Sequence, residues 1–400
     1  MEKTILSVFG TRPECIKMAP LIRKLSDTEG LKSRVCFTGQ HRDLSPALME
    51  TFGIRADHDL AVMAEDQSLA EIASRILTRM DKVLEAEKPD LVLVHGDTAS
   101  TLAGALSAFY HRIPVGHVEA GLRTGDLYAP FPEEMNRKLV SDIAQLHFCP
   151  TEGNRQNLLA EGVTGELFVT GNTIIDAVRA TVQREYVFSE PLLNRLDYGN
   201  KKVLVVTCHR RENYGEPMEN VMRAIKKIAA SFEDTEIVFP VHPAPHVRRC
   251  VRTHLQGVPN IHLIEPLGIL DMHNLLARCS FALTDSGGLQ EEAPALGKPV
   301  LVLRDVTERP EAVAAGTVRV VGTGEEDIVS AAAGLLRDEA LYDKMAHAAS
   351  PYGDGRACER IIQGIQWHFG MCPEKPADYR AVPEGSQSGR NHSGMEKACM

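Results

Sequence analysis

Two acidic residues stand where carboxylates do chemistry. Asp97 follows the apolar run Leu91 to Val94, in Val94-His95-Gly96-Asp97-Thr98, and Glu119 follows Ile113 to Val118, in Gly116-His117-Val118-Glu119-Ala120-Gly121. Both runs have strand length, so the carboxylates are predicted to emerge at the carboxyl ends of neighbouring parallel strands, the edge where open α/β sheets bind ligands. A third acidic pair, Glu133 and Glu134, opens a helix predicted from Pro132, after the loop Leu122 to Pro132. Carboxylates gathered in this way suit proton transfer and the stabilisation of positive charge. Asp and Glu also cap helices, and on periodicity alone Asp97 and Glu133 fit that role equally well. Glu119 does not, because Ala-Gly follows it instead of a helical pattern.

Other segments suit anions. The strand Thr4 to Phe9 runs into Gly10-Thr11-Arg12-Pro13-Glu14 and then a helix, a turn whose backbone N–H groups, with Arg12 and Lys17 beside them, are predicted to receive an anionic group. In Thr284-Asp285-Ser286-Gly287-Gly288-Leu289-Gln290-Glu291-Glu292, Ser286, Gly287 and Gly288 let a pyrophosphate approach the backbone. Glu292, one turn further on, can accept hydrogen bonds from both hydroxyls of a ribose; a tight turn before a buried helix is the plainer alternative. Arg309, in Thr307-Glu308-Arg309-Pro310-Glu311, falls on the same edge, and His209 ends the first strand of the chain's second half, followed by Arg210-Arg211-Glu212. His117-x-Glu119 matches half of a zinc-deaminase signature, but the P-C-x-x-C half is missing. His95, His117 and His242 also lack ligand spacing, so no metal is expected. No G-x-G-x-x-G occurs, which argues against a bound dinucleotide; no cofactor is expected.

The elements that must position these groups alternate regularly. Strands are predicted at Thr4 to Phe9, Arg34 to Thr38, Leu91 to Val94, Val115 to Glu119, Leu146 to Cys149 and Leu167 to Val169, with helices between them. Ser68 and Glu71 form a capping box before an apolar helical repeat that Pro89 ends. A second series runs from Lys202 to Thr207 through Val318 to Val321. This predicts an α/β protein of two doubly wound, Rossmann-like domains: residues 1–169 carrying the acids, with a helix at 355–370 packing back on them, and 170–352 binding the ligand. The segment 371–400, rich in Pro, Gly, Ser and charge, is expected to be disordered.

Composition narrows the function classes. Four hundred residues suit two or three domains of about 150 residues each. The 44 basic residues against 54 acidic ones give a net charge of −10, which disfavours a nucleic-acid partner. The nine cysteines show no paired spacing and read as reduced, mostly buried thiols. No apolar run approaches the roughly 20 residues that span a bilayer, and the N-terminus passes directly into a strand. A cytoplasmic protein without membrane contact is expected.

These motifs coincide with one family. Phe9-Gly10-Thr11-Arg12-Pro13-Glu14 with Lys17, Val94 to Thr98, His117 to Arg123, Phe131-Pro132-Glu133-Glu134-Met135-Asn136-Arg137, Thr207 with His209 to Asn213, Asp285 to Glu292, and Thr307 to Glu311 together resemble the non-hydrolysing UDP-N-acetylglucosamine 2-epimerases. The match runs in order from residue 4 to about residue 365. The resemblance implies the GT-B type of fold with a deep interdomain cleft, and interconversion of UDP-GlcNAc and UDP-ManNAc without a cofactor. Elimination of UDP to a 2-acetamidoglucal and its re-addition fit these residue types. It further implies Asp97, Glu119, Glu133 and His209 as the catalytic set, and Arg12, Lys17, Ser286, Gly287, Gly288, Glu292 and Arg309 as nucleotide-sugar contacts. A homodimer and a role in envelope or capsule polysaccharide synthesis are implied as well. Some bacterial members are activated by a second UDP-GlcNAc molecule, for which Asp43 and Asp66 lie in the relevant part of the chain. Where members carry aromatic residues, one of them against the uracil, this sequence has Ile269 and Met272, and Met272 can cover a ring face instead. Ala244 and His246 replace the usual Asn residues. The alternatives are a hydrolysing 2-epimerase, a GT-B glycosyltransferase or a non-enzymatic UDP-sugar sensor; the Pro132 to Arg137 segment favours the non-hydrolysing enzyme.

Overall fold

Near-continuous apolar runs such as Leu91-Val92-Leu93-Val94, every one of them buried, are the mark of strands covered on both faces, and they assemble here into two all-parallel sheets. The computed structural model describes residues 2–40, 46–64 and 67–381. His41, Arg42, Asp43 and Asp66 lie outside the described residues. The chain divides into two compact units, the first formed by Met1–Ala177 with Tyr352–Arg380, the second by Val178–Pro351. The first therefore gives way to the second inside the helix Thr173–Thr181, not directly after the strand that ends at Val169.

The first sheet comprises β1 (Lys3–Phe9), β2 (Leu31–Phe37), β3 (His58–Asp59), β4 (Leu91–His95), β5 (Val115–Val118), β6 (Leu146–Cys149) and β7 (Glu166–Val169). Their order is β3-β2-β1-β4-β5-β6-β7, so the winding reverses between β1 and β4. Register places Val8 beside Val94, and Val94 beside His117, which sets Asp97 and Glu119 at adjacent carboxyl ends. The Ser68–Glu71 capping box forms, and the helix it starts, Leu69–Glu87, buries Ile72, Ile76, Met80, Val83 and Leu84 against this sheet. The helix Ala357–His368 packs on the helix Arg12–Ser26.

The second sheet comprises β8 (Lys202–Thr207), β9 (Thr235–Pro240), β10 (Ile261–Ile264), β11 (Phe281–Thr284), β12 (Val300–Val302) and β13 (Val318–Val320). The order β10-β9-β8-β11-β12-β13 reverses between β8 and β11. His209 and Asp285 follow those two strands. Each unit thus presents its chemistry-bearing residues at its own topological switch point, where diverging loops leave a crevice at the strand ends.

The expected disorder from residue 371 does not hold for the described part of that segment. The Tyr379 N–H donates to the Val169 carbonyl at 2.7 Å, Asp378 accepts from the Val169 N–H at 2.9 Å, and Lys375 lies over the rings of Phe168 and Trp367. A polar composition is enough to mask such a strap, because its anchors are a few side chains and an unpaired sheet edge, not an apolar face. Cys15, Cys36, Cys149 and Cys279 are buried free thiols, each pushed up by burial to about 12.

Candidate active site

In the first unit the turn after β1 departs from the sequence reading. Gly10 and Thr11 give their backbone N–H groups to the Glu14 carboxylate at 2.9 and 2.7 Å, so this helix start holds its own anion. Glu14 also accepts the hydroxyls of Thr98 and Thr101 at 2.6 and 3.0 Å, tying the β1 loop to the β4 loop. Burial raises its pKa, opposed by these hydrogen bonds. Gly10 must lack a side chain, since a Cβ there would lie 2.0 Å from Thr38 Oγ1 and 2.2 Å from Ser100 Oγ. An external anion at this end would not find those two N–H groups free. Arg12 is exposed on the first helical turn, whereas Lys17 is engaged with Glu119.

Glu119 occupies the left-handed region, with φ of 64°, a conformation that costs a non-glycine residue free energy and recurs at functional sites. Its carboxylate receives the Lys17 ammonium and the Asn172 amide, the latter at 2.9 Å. His95 Nε2 lies 3.8 Å away. His95 is buried, and burial pushes it down to about 4, outweighing the raising effect of Glu119. The neutral imidazole therefore adds no charge to the Lys17–Glu119 pair at neutral pH.

Asp97 does not cap the next helix. Thr98 does so, its hydroxyl accepting the Thr101 N–H at 3.3 Å. Asp97 Oδ2 is instead gripped by Arg137 through Nε at 2.9 Å and Nη2 at 2.6 Å. Arg137 Nη1 reaches Glu134 at 2.9 Å, and Asn136 donates to the Asp97 carbonyl at 2.8 Å. Burial raises the Asp97 pKa, with Arg137 opposing and Glu119 adding. Glu134 is held below its ordinary value: burial works against ionisation but is outweighed by the Thr124 N–H, Arg137 and the Gly125 N–H. Glu133 differs from both, because its Oε2 is enclosed without a hydrogen-bond partner among the described residues. A buried carboxylate oxygen left unmatched calls for a functional explanation.

The second unit has its own cluster. The Asp285 side chain is fully buried; its Oδ2 accepts the N–H groups of His209 and Arg210 at 2.7 and 2.8 Å and the Asn213 amide at 3.1 Å. Its Oδ1 lies 3.2 Å from His209 Nδ1, close enough for electrostatic attraction though not aligned as a hydrogen bond. The His209 ring stacks on His242 at 5.3 Å. Burial lowers its pKa, with Asp285 opposing. A Cβ on Gly287 would lie 3.7 Å from Arg210 Nη2 and 3.9 Å from Arg309 Nη2, so two guanidinium groups border that bare stretch of backbone. Glu292 curls back over Gly288, whose Cβ would come within 3.1 Å of Glu292 Oε1. Met272 is half-buried on the helix Ile269–Arg278. Among the described residues no three His, Cys, Asp or Glu side chains gather to hold a metal ion, and no helix is long and apolar enough to cross a membrane.

The structure thus brings Lys17 to Glu119, groups Ser286, Gly287, Gly288, Glu292 and Arg309, and puts His209 on Asp285. It also supplies residues absent from the candidate set. Glu14 and Arg137 were detectable, as the fourth residue of a Thr-x-x-Glu capping box and the i+3 partner of Glu134. Asn172 carried no local signal.

Comparison with known proteins places the chain in a family. Residues 23–366 match the family model described as UDP-N-acetylglucosamine 2-epimerase. The UDP-N-acetylglucosamine 2-epimerase of Bacillus subtilis is 52% identical over 376 residues, covering 94% of this chain and 98% of the relative. The structure of the Neisseria meningitidis UDP-GlcNAc 2-epimerase bound to UDP-GlcNAc is similar with a TM-score of 0.81 and 46% identity, over 91% of this chain and 100% of that one. The Methanocaldococcus jannaschii UDP-GlcNAc 2-epimerase in complex with UDP-GlcNAc and UDP gives a TM-score of 0.69 and 33% identity, over 92% and 100%. With two parallel-sheet α/β domains of GT-B-like type and this extent of similarity, the chain belongs to the UDP-N-acetylglucosamine 2-epimerase family.

Proposed function

We propose that this protein interconverts UDP-GlcNAc and UDP-ManNAc by inverting C2, without net hydrolysis, in the cytoplasm, and so supplies ManNAc-type sugars for envelope or capsule polysaccharide. The observation that carries the reading is the pair of differently held carboxylates at the first switch point: Glu119 against Lys17 and Asn172, and Asp97 against Arg137. Groups with separated electrostatic environments are what acid and base roles require.

The C2 proton of the sugar has no adjacent carbonyl and is barely acidic, so the C1–O bond to UDP must weaken first. The electron pair of that bond leaves with the β-phosphate oxygen. Positive charge then develops at C1, a carboxylate takes the C2 proton, and the C1–C2 double bond of a 2-acetamidoglucal forms. Return of a proton to the other face of C2, with attack of the UDP oxygen on C1, gives the epimer. Asp97, Glu119 and Glu133 serve the proton transfers and the charge at C1. Arg210, Arg309 and the backbone at Gly287 receive the diphosphate, His209 is poised beside them to move a proton, and Glu292 takes the ribose. Arg12 adds positive charge for the substrate.

Incubation with UDP-GlcNAc alone, followed by phosphorus NMR, tests the reaction. A new sugar diphosphate with no free UDP is expected, whereas stoichiometric release of UDP or no change would refute it. In deuterium oxide the product should carry deuterium at C2. An oxygen isotope placed in the bridging position should scramble into non-bridging positions, because only elimination frees that oxygen.

A further inference from the structure

One fully buried histidine in the second unit takes no part in the chemistry above. His273 sits on the helix Ile269–Arg278 with its Nδ1 2.6 Å from Thr181 Oγ1, a hydroxyl that also lies 3.0 Å from the Val178 carbonyl, so its one proton can go to either. Among the described residues its Nε2 has no hydrogen-bond partner, and it lies 3.6 Å from Glu292 Oε2. The surroundings are built, not incidental. Asn274, the next residue, donates to the Thr181 carbonyl and the Leu270 carbonyl, both at 2.9 Å, and accepts the Gln183 N–H at 2.8 Å. That clamp fixes the segment bearing Thr181 against the helix bearing His273. On the other side Glu292 is confined, its Oε1 over Gly288 and its side chain only 14% exposed.

We propose that His273 is a positioning residue that sets the ribose selectivity of this site: the Glu292 carboxylate draws the ring proton to Nε2, the Thr181 hydroxyl turns from the Val178 carbonyl to donate to Nδ1, and the Nε2–H so directed holds Glu292 for the two hydroxyls of a ribose. The inference rests on the reading of Glu292 as the ribose acceptor. In that tautomer the buried Nε2–H lies just beyond hydrogen-bond range of the carboxylate and is matched by a small shift of the Glu292 side chain. Leaving it unmatched is costly in a dry interior, so the N–H favours the conformer in which Glu292 faces it. A carboxylate anchored through one oxygen can present its remaining lone pairs to a diol, whereas an unanchored one is spread over rotamers and discriminates less. His273 touches no substrate in this scheme and acts only through Glu292.

Calorimetric titration of the full-length protein with UDP and with 2′-deoxy-UDP separates the possibilities. The wild type should prefer UDP by roughly 10- to 100-fold, the range for a hydrogen bond to a charged group. His273→Leu should lose most of that preference, with UDP weakened more than 2′-deoxy-UDP, which has only its 3′-hydroxyl to offer Glu292. His273→Gln, whose amide can restore a donor near the Nε2 position, should recover much of it. Thr181→Val removes the hydroxyl that donates to Nδ1 in that tautomer, and it should shrink the preference even if His273→Leu fails to fold. In a Glu292→Ala background, His273→Leu should have no further effect. A wild type that binds UDP and 2′-deoxy-UDP equally, or neither, overturns the ribose reading of Glu292 and this inference with it. A wild type that prefers UDP, with that preference intact in folded His273→Leu or in Thr181→Val, overturns the inference about His273 alone.

Discussion

Replacing Arg137 with Met removes a cation that two carboxylates share, and its cost can be worked from the geometry. The Arg137 side chain is 9% exposed, Glu134 2% and Asp97 23%, so water does little to screen the charges left behind. Breaking a buried ion pair by deleting one partner costs about 3 to 5 kcal/mol, because the survivor is left desolvated and unpaired. For a domain of about 150 to 250 residues each kcal/mol moves Tm by about 2 to 4 °C, so a fall of about 6 to 20 °C is expected. The sign of the pH dependence follows from the same contacts. Arg137 lowers the pKa of both acids in the wild type, so its loss lets Asp97 and Glu134 keep a proton to higher pH. Protonation relieves the buried charge. The deficit of the variant should therefore be largest near pH 8 and shrink as pH falls toward 5. Arg137→Lys keeps the charge but cannot span Asp97 and Glu134 at once, and it should fall between the two. Thermal unfolding at several pH values reads both quantities. A Met variant within 1 °C of the wild type, or a deficit that grows on acidification, would refute the account of Arg137 as the shared counter-ion.

Glu119→Gln, Glu133→Gln and Asp97→Asn preserve shape while removing the ionisable group, and each should slow epimerisation by about 10² to 10⁴-fold in steady-state assays; wild-type turnover in all of them would remove the acids from the mechanism. Gly10→Ala drives a methyl group into Thr38 and Ser100 and should cost about 1 to 3 kcal/mol by urea denaturation, with an unchanged midpoint contradicting the close approach. Burial holds His95 at about 4 and His117 at about 3, below the ordinary 6.5, so the unfolded chain binds more protons across that window, and the stability these residues contribute is present above pH 6.5 and lost as pH falls. Between pH 6.5 and 4.5, His95→Asn should accordingly show a shallower fall in unfolding free energy than the wild type, by about 1.4 kcal/mol per pH unit, and identical slopes would mean that His95 is not buried as a neutral ring.

What could be read from the sequence was whatever repeats locally. Apolar runs such as Leu91 to Val94 identify strands because a parallel strand is covered on both faces. The capping box at Ser68 and Glu71 marks a helix start because its hydrogen bonds close within one turn. Asp97 and Glu119 could be placed on one edge because each directly follows such a run. What stayed hidden is what the residues at that edge do with their hydrogen bonds. The turn at Gly10 and Thr11 has every local feature of an anion site, and only the tertiary structure shows its N–H groups spent on Glu14, which Thr98 and Thr101 hold from another loop.

The same limit separates two kinds of residue in each unit. Those that carry charge, such as Glu119 and Glu292, announce themselves by type and position. Those that aim the charge do so from far along the chain: Asn172 lies 53 residues from Glu119, and Arg137 lies 40 from Asp97. No local period links such pairs, because each is created by the strand order, and the strand order is fixed only when the winding reverses between β1 and β4 and between β8 and β11. A switch point splays two consecutive crossovers apart, and side chains from distant helices enter the space this leaves. The supports of a reactive group should therefore come from segments remote in sequence, as Arg137 does for Asp97. A variant that disturbs them should act through the pKa or orientation of the group they hold, not through a lost contact to substrate.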